Sequence, residues 1–340
     1  MRQNSATLNG MWRSLRKSLA TMIPAALLII FIAVMICFLN RWDSIVAITL
    51  IPVWTWAAFG MAASFLSWIF FRGPFAVVVF SIWMASGLLL SEEPRSLLRE
   101  LFSSDDWIKN DQVETLRVIN IDAAEEAKTL RTIADLAPDL VVIQRAPERQ
   151  ALEDLAADLY SETHQVVSHR GNALILRGEA VSILREPDSA TIHVRLLTPE
   201  GWLIDVTNID LEPYLPSAKL WKPEVWTRLT TTRIQNRRRI RAYLGENQIA
   251  SGTIGRIVSG GFGTPPGDDV YRPLQSAGML DAFEEAGTGW GNTYPSDHPL
   301  VRLDQIWSSP NLPPLRAKSV LNPGSGHRTV MADLTVKLPD

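Results

Sequence analysis

The sequence predicts a membrane-anchored α/β protein, in which three N-terminal transmembrane helices precede a sandwich of two mixed β-sheets. Three observations predict it. Residues 1–91 of the 340-residue chain contain three long stretches without charge. Residues after 112 open with a strand-helix-strand-helix pattern. They continue with short strands joined by tight turns, which is typical of antiparallel pairing.

The three uncharged stretches each approach or exceed the roughly 17–25 residues that a membrane helix needs. None has a polar face, so none is typical of a buried helix in a soluble protein. A signal peptide does not fit the first stretch, because two more follow it and no small-residue cleavage site ends it. We therefore predict a membrane region over residues 18–91, with these three helices: Ser18–Asn40, Ser44–Phe71 and Gly73–Ser91.

Flanking charges predict the orientation of these helices. Arg13, Arg16 and Lys17 precede the first helix, and Arg72 lies between the second and third. The positive-inside rule then places residues 1–17 in the cytoplasm and the C-terminal domain on the outer side of a plasma or bacterial inner membrane. The single cysteine, Cys37, lies within the first helix, so the outer domain can form no disulfide of its own.

The outer part of the chain is acidic. Of 33 basic and 36 acidic residues, six basic and one acidic precede residue 92, which leaves 27 basic and 35 acidic residues. Non-specific binding to nucleic acid needs a basic field that releases counterions, so nucleic acid is not an expected partner. A small anionic ligand is not excluded, because one local basic patch suffices for it.

Residues 92–112 are expected to form a juxtamembrane linker with a short amphipathic helix around Arg95–Phe102, and residues 113–340 a folded domain. Apolar periodicity predicts how that domain begins. The first four elements are strand Leu116–Ile121, helix Ala123–Leu136, strand Leu140–Ile143 and helix Pro147–Tyr160. Four successive strands follow at Asn172–Leu176, Val181–Leu184, Thr191–Leu197 and Trp202–Asn208.

A long helix is predicted over Glu224–Leu244, and its arginines are expected to form a solvated face. They are Arg228, Arg233, Arg237, Arg238, Arg239 and Arg241. The remaining elements are a strand Ile254–Val258, a helix near Val270–Ala277, a strand Val301–Trp307 and final strands flanking Gly326 and His327. Strands and helices interspersed in this way favour two packed, mixed sheets.

The order of motifs resembles the endonuclease/exonuclease/phosphatase superfamily. The most specific stretch runs from Tyr271 to Trp307 and contains a Thr-Tyr-Pro turn followed by the strand Arg-Leu-Asp-Gln-Ile. Over residues 114–337 the resemblance implies a four-layered α-β-β-α sandwich. It also implies Mg²⁺-dependent hydrolysis of phosphoester bonds.

The resemblance implies site positions on the first strands. The family's first strand ends in a metal-site Asn, for which this chain has Asp122, with Asn120 as the less favoured register. The metal-binding Glu of the family's Leu-Gln-Glu corresponds to Arg145 in Ile-Gln-Arg. The phosphate-contacting His of Asn-x-His-Leu corresponds to Asp210 in Asn-Ile-Asp-Leu.

Two further motifs have lost side chains in the same comparison. Gly-Asp-Phe-Asn corresponds to Gly-Gly-Phe-Gly, so Gly261 and Gly263 stand where the Asp and Asn are expected. Gly326 takes the Asp position of the closing Ser-Asp-His, and only Asp304 and His327 match the family's residues. A second Ser-Asp-His at residues 296–298 precedes the Arg-x-Asp strand and is predicted to be a loop.

These differences favour a domain that lacks the usual hydrolysis. Mg²⁺ binds one or two carboxylates plus waters and phosphate, whereas Arg145 would repel a cation and attract an anion. No cofactor is then expected. The domain would be a binding, scaffolding or regulatory module. Its expected partners are the lipid bilayer that anchors the chain and an unknown protein or phosphate-containing ligand. Asp304 and His327 would be a retained structural pair.

The alternative hypothesis is an active hydrolase with a rearranged site. It would use Asp122 and Asp210 for Mg²⁺, with Asp304 orienting His327 as a general base or phosphate contact. Two interpretations of the glycine turn are also open. Its glycines either supply positive φ angles or expose N–H groups that form an anion-binding nest beside Arg145.

Overall fold

The computed structural model describes residues 2–103, 114–161, 163–215, 219, 222–246 and 252–337. The chain divides into two compact units, Met1–Arg95 and Ser96–Asp340. The first unit is helical, and the second contains the β-sheets.

The helices of the first unit leave two or three candidates for membrane spans. They are α1 (Arg2–Asn40), α2 (Val46–Thr49), α3 (Val53–Phe71) and α4 (Pro74–Leu90), with α5 (Glu93–Phe102) next along the chain. Within the described residues, Ser14–Asn40 and Val53–Phe71 are long and apolar enough to cross a membrane. A third candidate exists only if α4 and α5, which are bent by 63°, count as one span.

The prediction of one helix over Ser44–Phe71 is wrong for residues 44–52. The long helix begins only at Val53, after a 3₁₀ turn at Asp43–Ile45 and the short α2. Pro52 has an extended backbone (ψ 146°) and stands before the first helical residue. A proline also disfavours the helical conformation of the residue before it, here Ile51, so the helix is interrupted at this point.

Twelve strands in the described part of the second unit form two six-stranded sheets. Sheet A has the order β11-β12-β1-β2-β4-β3 and sheet B the order β5-β6-β7-β8-β10-β9. β1 pairs with β2 in parallel, as β7 does with β8, while the other pairings are antiparallel. The strands of sheet A are β1 (Thr115–Asp122), β2 (Leu140–Gln144), β3 (His164–His169), β4 (Asn172–Arg177), β11 (Pro314–Val320) and β12 (Thr329–Thr335). Those of sheet B are β5 (Glu179–Arg185), β6 (Ile192–Leu197), β7 (Leu203–Asp210), β8 (Gly255–Gly261), β9 (Leu280–Asp281) and β10 (Asp304–Ser308).

Helices cover the outer faces of both sheets, which confirms the predicted sandwich. α7 (Arg149–Leu159) buries Leu152 and Ala156 against the outward side chains of sheet A, such as Ile119 and Ile143. α8 (Pro223–Glu246) meets sheet B near its C-terminus, where the Tyr243 hydroxyl contacts Thr191 Oγ1 at 2.9 Å. The apolar core between the sheets comes from alternate residues of both, as period-2 strands require.

The predicted helix Ala123–Leu136 is wrong at its start. Ala124 and Glu125 adopt left-handed φ angles of 51° and 62°, so the chain cannot be helical there. The Asp122 carboxylate accepts the Ala124 N–H at 3.0 Å, a local bond that favours a turn over a helix. Only the short α6 (Ala127–Leu130) and a 3₁₀ turn, Arg131–Leu136, follow.

The prediction of one solvated arginine face on α8 is wrong for Arg233. Its side chain is fully buried and donates from Nε to Asp268 Oδ1 at 3.1 Å. Arg237 is only partly exposed and pairs with Asp269. Four arginines of α8 are exposed, as expected: Arg228, Arg238, Arg239 and Arg241.

Other differences concern short elements. The sequence did not indicate β3, nor α10 (Ala282–Ala286). The helix expected near Val270–Ala277 is a 3₁₀ turn, Asp269–Tyr271, followed by α9 (Arg272–Ser276). β10 begins at Asp304 because Val301 instead pairs with Tyr294 in an isolated bridge. In the predicted linker, α5 is present, while residues 104–113 lie outside the described residues.

Candidate functional site

Side chains between the two sheets change from apolar to polar toward one end of the sandwich. Along β1 the inward residues are Val118, Asn120 and Asp122, because alternate residues of a strand face the same side. β2 repeats the change from apolar Val142 to Gln144. β7 repeats it from Val206 through Asn208 to Asp210. An apolar core therefore gives way to a layer of amides, and that layer to charged side chains at the strand ends.

The amide layer joins the two sheets. Asn120 Nδ2 on sheet A donates to the Gly260 carbonyl on sheet B at 3.1 Å. Gln144 Nε2 donates to Asn208 Oδ1 at 2.9 Å, and Asn208 Nδ2 reaches the carbonyls of Ile143 and Ala173, both at 2.9 Å. These buried bonds hold the strand ends above them in place. Gln144 and Asn208 were not among the predicted site residues, although the period-2 pattern that ends in Asp210 could have indicated Asn208.

Arg145 forms a two-pronged ion pair with Asp122 at the rim of sheet A. Its Nε lies 2.7 Å from Asp122 Oδ1, and its Nη2 lies 2.6 Å from Oδ2. The Nη1 group donates to no described residue, and 47% of the Arg145 side chain is exposed. The hydrogen bonds that Arg145 donates to Asp122 raise the pKa of Arg145, so the guanidinium is a permanent cation. The negative charges of Asp210 and Asp304 also favour the charged form of Arg145, so the guanidinium is surrounded by carboxylates.

Asp304 and His327 form the second pair of the site. His327 Nδ1 lies 2.8 Å from Asp304 Oδ2, while its Nε2 lies 3.9 Å from Asp122 Oδ2. Burial opposes protonation of the ring, but the hydrogen bond to Asp304 and the charges of Asp304 and Asp122 outweigh it. The pKa of His327 is therefore raised. The Tyr294 ring, whose centroid is 4.9 Å from that of His327, also contacts this pair and was not among the predicted site residues.

Asp210 stands alone at the rim of sheet B. It is solvent-exposed and forms no hydrogen bond or ion pair with any described residue. The protein around it removes part of its hydration, and the charges of Asp122 and Asp304 add repulsion. Together they raise the pKa of Asp210 to about 6. A carboxyl group that titrates near neutral pH can hold or release a proton at the cleft.

The glycines of the turn after β8 are not equivalent. Gly260 and Gly263 have φ angles of 147° and 65°, and a Cβ would lie 1.8 Å from the Ile209 carbonyl oxygen and 2.6 Å from Pro213 Cα, respectively. The positive-φ interpretation therefore fits these two. A Cβ on Gly261 would meet Asp210 Oδ1 only at 3.4 Å, in an ordinary backbone conformation. A Cβ on Gly326 would meet no atom within 4 Å. A side chain fits the positions of Gly261 and Gly326 but not that of Gly263.

The structure thus brings together most of the predicted positions. Asp304 pairs with Gly261 in the ladder between β10 and β8, and Asp210 pairs with Gly261 in the ladder between β7 and β8. The Ser-Asp-His at residues 296–298 lies outside the helices and strands, with Asp297 and His298 exposed, although the Ser296 N–H donates to the Gly326 carbonyl at 2.8 Å.

The residues present do not fit the Mg²⁺ ion that the family resemblance implies. Both oxygens of Asp122 are bonded to Arg145, whose charge opposes a second cation at the same place. In the part of the chain that the structure describes, no group of three or more His, Cys, Asp or Glu side chains is placed to hold a metal ion.

Neither a protein-family model nor a curated protein matches the chain. Solved structures do resemble it. An endonuclease/exonuclease/phosphatase family protein from Leptotrichia buccalis is 16% identical with a TM-score of 0.45, over 64% of this chain and 99% of that one. One from Bacteroides thetaiotaomicron is 14% identical with a TM-score of 0.49, over 67% and 100%. A mannosyl-6-phosphatase from the same organism is 13% identical with a TM-score of 0.47, over 64% and 99%. The first two of these solved proteins carry the name of the family that the motif order of this chain resembles.

Proposed function

We propose that this chain is a membrane-anchored, endonuclease/exonuclease/phosphatase-like protein that binds a phosphate-containing ligand and does not catalyse Mg²⁺-dependent hydrolysis. The two or three apolar helices would anchor it, with the sandwich domain on the outer side of the membrane. The domain would act as a binding or regulatory module, for which nucleic acid is not an expected ligand.

The Arg145–Asp122 ion pair is the observation that carries this proposal. The guanidinium neutralises Asp122 by two hydrogen bonds of 2.6 and 2.7 Å, which is the work a metal ion would do at that carboxylate. A tethered cation cannot take up waters or substrate oxygens in an octahedral shell as Mg²⁺ does. Replacement of the metal by Arg145 therefore removes the group that stabilises charge in the transition state of hydrolysis.

Two donors at the cleft are suited to a phosphate group. The Nη1 group of Arg145 points to no described acceptor, and half of the side chain is open to solvent. His327 Nε2 lies beyond hydrogen-bond distance of Asp122, so a protonated ring can donate to a ligand oxygen. Arginine binds phosphate with two parallel N–H groups, and the ligand would share the guanidinium with Asp122.

A metal-dependent hydrolase with a rearranged site is the second candidate, and Asp210 is the observation that favours it. This carboxyl group has no protein partner among the described residues and faces the same cleft as Asp304. Its pKa of about 6 suits proton transfer near neutral pH. This candidate requires Arg145 to release Asp122 when a metal ion binds.

Hydrolysis and phosphate binding can be measured on the full chain in detergent. We expect no turnover of bis(4-nitrophenyl) phosphate above background with Mg²⁺ or Mn²⁺. Calorimetric titration with inorganic phosphate should show binding that weakens at least about tenfold in Arg145→Ala, the loss expected for a charged hydrogen bond. Arg149→Ala is the matched control, because Arg149 is also an exposed arginine paired with a carboxylate, Glu153.

Two results would contradict the proposal. Metal-dependent turnover that disappears in His327→Ala and persists in Arg149→Ala would establish the hydrolase instead. Equal phosphate affinity in wild type and Arg145→Ala would remove the binding role of the guanidinium.

A further inference from the structure

Helix α5 has an apolar face that no described residue covers. Leu97, Leu98, Leu101 and Phe102 are all exposed, with 78% of Leu101 and 83% of Phe102 open to solvent. Their spacing of one, three and one residues places them on one side of a helix. Four large apolar side chains on one exposed face are unusual for a surface helix surrounded only by water.

The opposite face of α5 is held by the sandwich domain. Ser96 is buried, and its carbonyl accepts the Gly289 N–H at 3.1 Å. Arg99 Nη2 donates to the Glu284 carbonyl at 2.7 Å. The helix is therefore fixed by its polar side, and the apolar side is directed away from the domain that holds it.

The chain that precedes α5 belongs to the predicted membrane region. Only Ser91 and Glu92 separate α5 from α4, whose last turn exposes the apolar side chains of Leu88, Leu89 and Leu90. Exposed apolar side chains therefore occur in the chain both directly before and directly after this two-residue connection. Arg95, exposed on α5, donates from Nη2 to the Leu89 carbonyl at 2.6 Å. Arginines near the ends of apolar helices commonly extend to the lipid headgroup region.

We propose that α5 lies in the headgroup region of the bilayer, with Leu98, Leu101 and Phe102 inserted at the boundary of the acyl chains. A short helix with one apolar and one polar face binds the membrane surface in this way. Because its polar face is bonded to the sandwich domain, the inserted helix would fix how that domain faces the membrane. This inference rests on the membrane anchoring contained in the proposed function.

Site-directed spin labelling of the full chain in phosphatidylethanolamine–phosphatidylglycerol vesicles tests the proposal. Single cysteines are introduced in a Cys37→Ser background at Leu101, at Ile29 in α1 as the hydrocarbon reference, and at Gln235 in α8 as the aqueous reference. All three positions are exposed, so labels should be tolerated. Accessibility to oxygen and to a water-soluble nickel chelate gives the depth of each label.

We expect oxygen to exceed the nickel chelate at Leu101, by a smaller margin than at Ile29, and the order to reverse at Gln235. Two results at Leu101 would overturn the inference without contradicting the membrane anchoring. The label could be as accessible to the nickel chelate as the label at Gln235, or the protein could shield it from both reagents. A Leu101 label as deep as that at Ile29 would make α5 part of a span, which also overturns it. An aqueous Ile29 label would instead contradict the anchoring itself. Labels at Phe102 and Leu98 repeat the measurement independently.

Discussion

Two arginine–aspartate ion pairs of the sandwich domain have opposite surroundings. Arg233 and Asp268 are both fully buried. Arg145 has 47% of its side chain exposed, although its partner Asp122 is nearly buried. The first pair lies under α8, where the Tyr214 hydroxyl also donates to Asp268 at 2.8 Å. The second lies at the ends of β1 and β2, where the cleft opens.

The fold depends on the buried pair, whereas a ligand can use the open one. A buried ion pair cannot exchange its partners for water, so loss of one member leaves a charge in a medium of low polarity. An open pair can take a third partner without unfolding anything. Chain position alone did not distinguish them, because both arginines occur in segments that carry other charges.

Removal of the buried cation should have the largest effect. We expect Arg233→Ala to lower the free energy of unfolding by about 3–5 kcal/mol, because Asp268 then remains buried without its ion-pair partner. Denaturant unfolding of the full chain in detergent, followed by tryptophan fluorescence, measures it. The neighbouring exposed Arg238→Ala should change stability by less than about 0.5 kcal/mol. A loss for Arg233→Ala as small as that would show that the pair is not structural.

The next largest effect on stability should come from the turn after β8, where the family motif has a functional side chain at both Gly261 and Gly263. Gly263→Ala should destabilise by at least about 2 kcal/mol, because the φ of 65° is costly for alanine and a Cβ would lie 2.6 Å from Pro213 Cα. Gly261→Ala should cost less than about 1 kcal/mol, the usual size for a substitution without steric conflict. Thermal unfolding of the two variants makes the comparison, and equal losses would contradict the geometry described for this turn.

Removal of the open cation should have a smaller effect on stability. Arg145→Ala is expected to cost about 1–2 kcal/mol, because the nearly buried Asp122 loses its partner while water can enter the space. Arg145 also has a left-handed φ of 45°, which glycine adopts without strain. Arg145→Gly should therefore be less destabilising than Arg145→Ala in the same unfolding experiment. The reverse order would indicate that the backbone strain is absent.

The smallest effect should come from Asp210, because solvent screens its exposed carboxylate, and this effect should depend on pH. Its folded-state pKa of about 6 lies above its ordinary value, so deprotonation is disfavoured in the folded protein. Stability is then lost as pH rises from about 4 through 6. Asp210→Asn should raise the melting temperature relative to wild type at pH 7.5 and leave it nearly unchanged at pH 4. A difference independent of pH would contradict the raised pKa.

Much of the fold could be predicted from the sequence, for reasons visible in particular elements. β1 and β2 are buried runs of β-branched and aliphatic residues, and α7 and α8 are long stretches with helical periodicity. All four elements were therefore predicted. The start of the helix after β1 could not be found, because it depends on the Asp122 carboxylate bonding the Ala124 N–H. Pro52 indicated the break before α3, but the apolar residues on both sides of it favoured the prediction of one continuous helix.

The candidate site shows the same limit. The order of motifs indicated Asp122, Arg145, Asp304 and His327, and the structure places them within one cleft. The motif could not show that Arg145 would bond Asp122 instead of pointing to solvent, because that depends on the conformation after β2. It also could not separate Gly261 from Gly263, since the obstacle at Gly263 is Pro213, fifty residues earlier in the chain.

Metal binding by the full chain in detergent tests whether Arg145 takes the place of a metal ion. Mn²⁺ is titrated by calorimetry into wild type, into the variant Arg145→Glu with Gly261→Asp and Gly326→Asp, and into Arg149→Glu with the same two glycine changes as control. We predict no saturable binding to wild type or the control. We predict clear binding to the Arg145→Glu variant, in which three carboxylates replace one cation and two glycines. Saturable Mn²⁺ binding to wild type that is lost in Asp122→Asn would contradict the account.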